Sequence, residues 1–403
     1  MKTLKFGNGT WATKKGSILA HNDEGGNFKP LPFTYTGAGK GTRVNKEGLI
    51  EVVENDRPRI DYLDSEDGVF LLEKAATNLV TYSSDLSVLS KVSVGTASSP
   101  VTTANYDIAP DGTMTATRVV FDLNGGTTSQ DRSILRQSIP LDSNYKFSIY
   151  VKSTNGAEQK VMWHDGGEYN PTTVTNEWVR ITYDGRPNTV FGGIALNPIS
   201  GVDTSDILVW GFQIESGNVS SYIPTQGTIQ TRVQETASGS GNSEVFNDSQ
   251  GVLFADISAL SEIDTYRTIC LSDGSTSERI NIWYWNDGTI KIDLYNSNNK
   301  QFEYDGIVDT TLFNKIAIKY KVNDFSIFLN GFEVFTDLVG TTPIGLNKIN
   351  FSHANELYPF YGKTKEIAYY DTALTDLELE TLTSYRTWES MVKELNLNII
   401  HNE

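Results

Sequence analysis

The sequence predicts an all-β protein built of two antiparallel β-sandwiches, and three observations predict it. Tyr, Phe, Thr, Val, Ile, Asn, Asp and Gly dominate while Ala and Met are few, a composition that favours strands joined by tight turns. Apolar residues recur with period two in segment after segment, the spacing of half-buried strands. Asn-Gly and Asn-Asp-Gly pairs close those segments, as hairpins require. At 403 residues the chain is too long for one ordinary core, and its 38% hydrophobic and 11% aromatic content is enough to fold it almost throughout.

The elements follow in order. Residues 1–75 are rich in Gly, Asn, Lys and Pro, with short apolar runs such as Pro32-Phe-Thr-Tyr35 and Val69-Phe-Leu-Leu72, which predicts an extended N-terminal segment with a few strands. Within it Thr42-Arg-Val44 and Leu49-Ile-Glu-Val-Val53 flank Lys46-Glu-Gly48 and read as a hairpin. Residues 76–235 carry the strand patterns Thr115-Ala-Thr-Arg-Val-Val-Phe121, Tyr145-Lys-Phe-Ser-Ile-Tyr-Val151, Trp178-Val-Arg-Ile-Thr-Tyr183 and Ile207-Leu-Val-Trp-Gly-Phe-Gln-Ile214. In the second, Tyr145, Phe147, Ile149 and Val151 share one face and Lys146, Ser148 and Lys152 the other, one wall of a sandwich. Trp178 and Trp210 have apolar neighbours on either side and are expected in the core.

Residues 236–243 include Ala237-Ser-Gly-Ser-Gly-Asn-Ser243, small and polar, and are expected to form a linker. Residues 244–385 carry a second strand series, including Gly251-Val-Leu-Phe-Ala-Asp-Ile257, Arg279-Ile-Asn-Ile-Trp-Tyr-Trp285, Thr289-Ile-Lys-Ile-Asp-Leu-Tyr295, Asn314-Lys-Ile-Ala-Ile-Lys-Tyr320 and Phe325-Ser-Ile-Phe-Leu-Asn-Gly331. A helix is predicted from about Thr375 to Asn396, capped by Thr375 or Asp376, with residues 386–403 as its continuation and tail. Tyr385, Trp388, Val392, Leu395 and Ile399 fall at three-four spacing, but over about two heptads only. That length favours a helix packed on its own domain over an oligomerisation stalk.

Two stretches fix a wider likeness. Thr42-Arg-Val-Asn-Lys-Glu-Gly-Leu-Ile-Glu, running on through Pro58-Arg-Ile-Asp-Tyr to Leu71-Leu-Glu-Lys-Ala-Ala-Thr-Asn, and Ser221-Tyr-Ile-Pro-Thr-Gln-Gly-Thr-Ile-Gln-Thr-Arg232 bracket one module. With Tyr145-Lys-Phe-Ser-Ile-Tyr-Val-Lys-Ser, Asn176-Glu-Trp-Val-Arg-Ile and Val209-Trp-Gly-Phe-Gln-Ile-Glu-Ser-Gly, and the ending Lys365-Glu-Ile-Ala-Tyr-Tyr-Asp-Thr-Ala-Leu, the sequence resembles tailed-phage virion proteins. In that family a jelly roll of carbohydrate-binding-module type is followed by a concanavalin-A-like, laminin-G-type lectin domain. The resemblance covers roughly residues 30 to 385. It implies a tail-fibre or head-fibre protein, a homo-oligomer, often a trimer, whose N-terminal segment attaches to other virion proteins and whose sandwiches adhere to host cell-surface glycan. A purely structural virion component that binds other virion proteins is the alternative, and a polysaccharide depolymerase is a weaker one.

Charge and cysteine content exclude more than they name. A formal net charge of -17 argues against a nucleic-acid groove, which needs clustered Lys and Arg to replace counterions. The single Cys270 forbids an intrachain disulfide and sits in Thr268-Ile-Cys-Leu271, an apolar strand pattern that predicts a buried, inert thiol. Met1-Lys-Thr-Leu-Lys-Phe-Gly lacks the apolar run of a signal peptide, and no stretch approaches membrane-spanning length. Synthesis in a host cytoplasm and assembly into virions are the expectation.

Catalytic motifs are missing. No Glu-x-Asp-x-x-Glu pattern, Gly-x-Ser-x-Gly elbow, His-Glu-x-x-His or phosphate loop occurs. His21, His164, His353 and His401 are scattered, and Asp64-Ser-Glu-Asp-Gly68 lacks calcium-ligand spacing, so no cofactor is expected and calcium is left open. Binding is better supported, because sugars present flat apolar faces ringed by hydroxyls and call for exposed aromatics beside Asp, Asn or Gln. Alternation places Ile280, Ile282 and Tyr284 on one face and Asn281, Trp283 and Trp285 on the other. On the next strand Ile290, Ile292 and Leu294 repeat the core face, leaving Lys291, Asp293 and Tyr295 beside the tryptophans. Asn281, Trp283, Trp285, Asp293 and Tyr295 are therefore the first candidate glycan site, with burial of the tryptophans against a domain or subunit as the competing reading. Trp163, His164 and Tyr169 form a second candidate.

Overall fold

The computed structural model describes residues 3–24, 27–142, 145–165, 171–186, 188–260, 265–385 and 387–394. Its regular structure is almost wholly strand, in antiparallel sheets, with two short α-helices, Asp376–Thr383 and Trp388–Glu394. No helix among the described residues is long and apolar enough to cross a membrane. The chain divides into two compact units, one of residues 1–38, 55–74 and 234–403 and the other of residues 39–54 and 75–233.

The first unit is a sandwich. One layer is a ten-stranded sheet whose central strand Gln250–Ala259 lies between Asn314–Lys321 and Gly362–Tyr370. The other layer runs Asn299–Ile307, Thr289–Asn296, Arg279–Tyr284, Arg267–Ser272, Lys348–Asn350. Every second residue of these strands points inward, so Ile280, Ile282, Tyr284, Ile290, Ile292 and Leu294 meet Leu253, Ile257, Ile318 and Ile327 in one core, as the alternation predicts. Cys270, between the core residues Ile269 and Leu271, is buried in the row with Asn281, and burial pushes its thiol up to about 12, which keeps it inert at neutral pH. On the outer side of the larger sheet, Leu379 of the first helix packs on Val252, Phe254 and Phe328.

The N-terminal segment departs from expectation. Instead of a separate arm, Thr3–Gly7 pairs along Gly362–Tyr370, and Val69–Leu72 pairs with the same strand, so both enter the ten-stranded sheet. Residues 39–54 belong to the second unit, where Thr42–Val44 and Ile50–Val52 form the expected hairpin around Gly48 at φ 80°. Nor are residues 236–243 a tether: Ala237 and Ser240 are buried, the Ser240 hydroxyl donates to the Leu31 carbonyl at 2.6 Å, and a Cβ on Gly241 would lie 2.3 Å from the Phe246 ring. Small residues serve close packing there, a use that composition alone does not separate from flexibility.

Arg59 and Glu73, both within the first stretch of the resemblance, meet Glu235 in the first unit as a buried ionic cluster. Arg59 is fully buried; its Nε donates to Glu235 Oε1 at 2.7 Å, and its Nη2 reaches both Glu235 and, at 2.8 Å, Glu73. Tyr35 Oη donates to Glu235 Oε1 at 2.6 Å and the Glu73 amide to Oε2 at 2.8 Å. Burial, with the Glu235 charge beside it, drives the Tyr35 phenol above its ordinary range.

The long helix expected to Asn396 ends early. Thr375 caps Asp376–Thr383 through a capping box with Glu378, but Ser384 leaves the helical region at φ -74° and ψ 160°. A second helix, Trp388–Glu394, begins beyond it, and of the seam residues Trp388 is exposed while Val392 is buried. Leu395 and Ile399 lie outside the described residues.

The second unit is a sandwich of two five-stranded sheets. One runs Ser90–Val94, Arg132–Asp142, Thr189–Leu196, Gln159–His164, Thr172–Val174; the other runs Ser98–Asp107, Ala116–Asp122, Thr204–Ser216, Tyr145–Ser153, Val179–Asp184. Phe147, Ile149 and Val151 face Leu135, Ile194 and Leu196 across its core. Trp210 is buried as expected, and Trp178 is partly buried against the same small cluster as Trp210 and Tyr222.

Candidate functional site

On the outer face of the smaller sheet of the first unit, the strand Arg279–Tyr284 and its neighbours present the residues that do not enter the core. Register sets Thr268, Trp283, Lys291 and Asp305 in one row and Cys270, Asn281, Asp293 and Glu303 in the next. Trp283 and Trp285 are only partly buried, and both point away from the Ile face.

Around them the structure gathers rings that strand alternation does not announce. Tyr266, directly before strand Arg267–Ser272, stands perpendicular to Trp285 with centroids 5.0 Å apart and to Tyr358 at 5.8 Å. Trp283 lies 5.3 Å from the His353 ring and 5.7 Å from that of Tyr358. His353 and Tyr358 come from the connection between Lys348–Asn350 and Gly362–Tyr370, which is pinned by the Thr268 amide donating to the Tyr358 carbonyl at 3.1 Å. The outward-facing rings are Tyr358, 44% exposed, and Tyr266, 36% exposed. Lys291 Nζ sits 3.9 Å from the centroid of the Trp285 ring and 2.7 Å from Asp305.

Two residues of that connection, Glu356 at φ 66° and Tyr358 at φ 56°, hold the left-handed backbone region. For a bulky aromatic this conformation costs of order 1–3 kcal/mol, which the surrounding hydrogen bonds must sustain. Such outliers gather where a side chain has to be presented.

Asp293 organises the floor. Its Oδ1 accepts from Asn281 Nδ2 at 2.7 Å, its Oδ2 from the Trp283 indole N–H at 2.8 Å, and Arg279 Nε stands 4.0 Å away. Burial pushes the carboxyl above the usual range, against the opposing pull of Asn281, Arg279 and Trp283. Both of its oxygens are engaged and Asn281 is fully buried, so these two residues, expected as direct hydrogen-bonding partners of a ligand, instead fix Trp283 in place. Tyr295 is likewise covered, with the Arg279 guanidinium carbon 3.7 Å from its ring centroid. His353 Nδ1 is bonded to Asn355 Oδ1 at 2.8 Å, and burial lowers its pKa, which leaves Nε2 of the neutral ring as an acceptor.

The second candidate does not assemble as expected. Trp163 is core, 6.1 Å from Phe147 and stacked on Tyr183 at 5.8 Å, because it shares the inward face with Val161. Tyr169 lies outside the described residues. His164 takes the opposite face, buried, with Nε2 3.4 Å from Arg136 Nη1.

Burial, with Arg136 and Arg132 nearby, lowers the His164 pKa to about 4. The unfolded chain takes up a proton near pH 6.5 and the folded one near 4. Stability from this group is therefore complete above 6.5 and lost as pH falls through that window, on the order of 3 kcal/mol in all. Denaturant midpoints taken from pH 7 to 4 should fall less in His164→Gln than in the parent chain; parallel curves would remove His164 as the cause.

Among the described residues no group of three or more His, Cys, Asp or Glu is placed to hold a metal ion. No protein-family model matches the sequence, and no curated protein matches it. Among solved structures the chain is similar to the CBM40 of Ruminococcus gnavus IT-sialidase bound to α2,3-sialyllactose, at 20% identity over 36% of this chain and 93% of that one, TM-score 0.31. It is also similar to domain 4 of AbnA, a GH43 extracellular arabinanase from Geobacillus stearothermophilus, in complex with arabinotriose, at 16% identity over 42% and 82%, TM-score 0.30. Trypanosoma rangeli sialidase is similar at 10% identity over 91% of this chain and 66% of that one, TM-score 0.31. Likenesses of this extent carry no argument about ligand or activity.

Proposed function

We propose that the protein binds glycan through the aromatic patch of its first unit, without catalysis and without a bound metal. The observation that carries this reading is the gathering of Tyr266, Trp283, Trp285 and Tyr358 on the outer face of a sheet, with the two tyrosines outermost. Apolar ring faces beside the Tyr hydroxyls, the His353 Nε2 acceptor and the Lys291 ammonium suit a sugar, which offers a flat C–H face and a rim of hydroxyls. On the resemblance of its sequence, we place this activity in a phage tail or head fibre that is assembled in the host cytoplasm and attached to other virion proteins. A homo-oligomer, trimeric in this reading, turns weak single-site binding into firm adhesion to the host surface.

Glycan-array and host-cell binding test it. The Tyr266→Ala/Tyr358→Ala double variant should bind about tenfold to a hundredfold more weakly, the loss of two aromatic anchors worth roughly 1 kcal/mol or more each. Tyr358→Gly separates function from folding: glycine adopts the φ of 56° freely, so the unfolding midpoint should hold while binding falls. Undiminished binding by the double variant would refute the assignment, and EDTA should leave the wild type unaffected.

A further inference from the structure

In a chain of net charge -17, one cross-strand row of the second unit holds an arginine and a histidine on either side of a glycine. Arg136 on strand Arg132–Asp142, Gly193 on Thr189–Leu196 and His164 on Gln159–His164 stand side by side in the register. Gly193 has no side chain to fill the middle of this row, and a Cβ there would come within 2.2 Å of the Leu135 carbonyl oxygen and 2.7 Å of Arg136 Cα. The arginine side chain spans the gap. Its Cζ lies 3.8 Å from the centroid of the Phe191 ring, and its Nη1 is 3.4 Å from His164 Nε2.

This arginine is partly exposed and, among the described residues, has no carboxylate within ion-pair distance. Other arginines of the unit are used structurally: Arg118 pairs with Asp206 at 2.5 Å, and Arg180 Nη2 donates to Ser148 at 2.8 Å. Asp165, which follows His164 in the chain, has Oδ2 occupied by the Arg186 amide at 2.7 Å. His164 is kept neutral by burial and by Arg136 and Arg132, with no carboxylate opposing them. A guanidinium over an aromatic face keeps its N–H donors in its own plane, where they suit a planar oxyanion approaching edge-on.

We propose that Arg136, backed by Phe191 and beside His164, is an anion subsite on the second unit that takes the carboxylate of an acidic sugar. The site is separate from the tyrosine patch. It rests on the glycan-binding reading only for the saccharide that carries the carboxylate. A bound carboxylate brings negative charge toward His164 and so stabilises its protonated form.

NMR of the His164 imidazole in the full chain tests this, with oligogalacturonate, its neutral methyl ester and acetate as probes at equal carboxyl or ester concentration. Oligogalacturonate should shift the His164 signal saturably and raise its pKa, by about one unit, while the ester and acetate leave it unchanged. Arg136→Gln should weaken that response at least tenfold with its amide spectrum still dispersed, and Arg136→Lys should keep part of it. Tyr266→Ala/Tyr358→Ala should leave it intact, which separates this site from the first. No shift with oligogalacturonate, an equal shift with acetate or the ester, or an undiminished shift in Arg136→Gln would each overturn the proposal.

Discussion

Replacing Arg59 with Met is expected to destabilise the first unit by about 3–5 kcal/mol, the cost of removing one partner from a buried ionic cluster. The change deletes the cation that neutralises both Glu235 and Glu73, and it leaves two carboxylates in a site closed to water. Glu235 would keep its bonds from Tyr35 and the Glu73 amide, yet neither supplies charge. For a domain of this size the thermal midpoint should fall by roughly 6–20 °C. Calorimetry decides it, with Arg43→Met, whose Glu51 partner is partly exposed, as the control that should barely move. If the two variants behave alike, the cluster contributes nothing beyond a surface pair.

Asp293→Ala should lower stability by a comparable amount, about 3–5 kcal/mol, and weaken glycan binding at the same time. The buried Asn281 amide and the Trp283 indole N–H both lose their acceptor, and Arg279 loses its nearest carboxylate. Trp283 is then free to turn from its place between His353 and Tyr358. Asp293→Asn should fall between the two, because one amide oxygen can serve only part of the donor set. Unfolding midpoints and Trp fluorescence, read with glycan titration, check the order wild type, Asn, Ala; wild-type binding by a stable Asp293→Ala would show that Trp283 is not positioned through this carboxylate.

Much of the architecture was legible in local pattern. Strands with clean alternation, such as 280–284 and 290–294, declare which face is core, so the outward direction of Trp283 and Trp285 followed from two residues on either side. Where a strand is apolar at consecutive positions, as at Val161-Met-Trp163, alternation sets no phase, so it does not tell that Trp163, offered as a candidate site residue, belongs to the core. Tyr266, His353 and Tyr358 escaped notice because their position depends on a connection without periodicity. The Arg59–Glu235 pair, 176 residues apart, leaves no local trace at all. The short runs of the N-terminal segment read as an arm because their partners lie near the other end of the sequence.

That last pairing sets an order of events during synthesis. Thr3 stands opposite Tyr370 in the ten-stranded sheet, and most of the second unit, residues 75–233, is made between them. The ribosome therefore releases most of the second unit well before the first strand meets Gly362–Tyr370. The second unit can form early, whereas the first must leave one edge of its opening strand, which pairs locally with His21–Glu24, open until Gly362–Tyr370 has emerged, a non-local closure of the slow kind. Pulse-labelled nascent chains should acquire protease resistance in the second unit first.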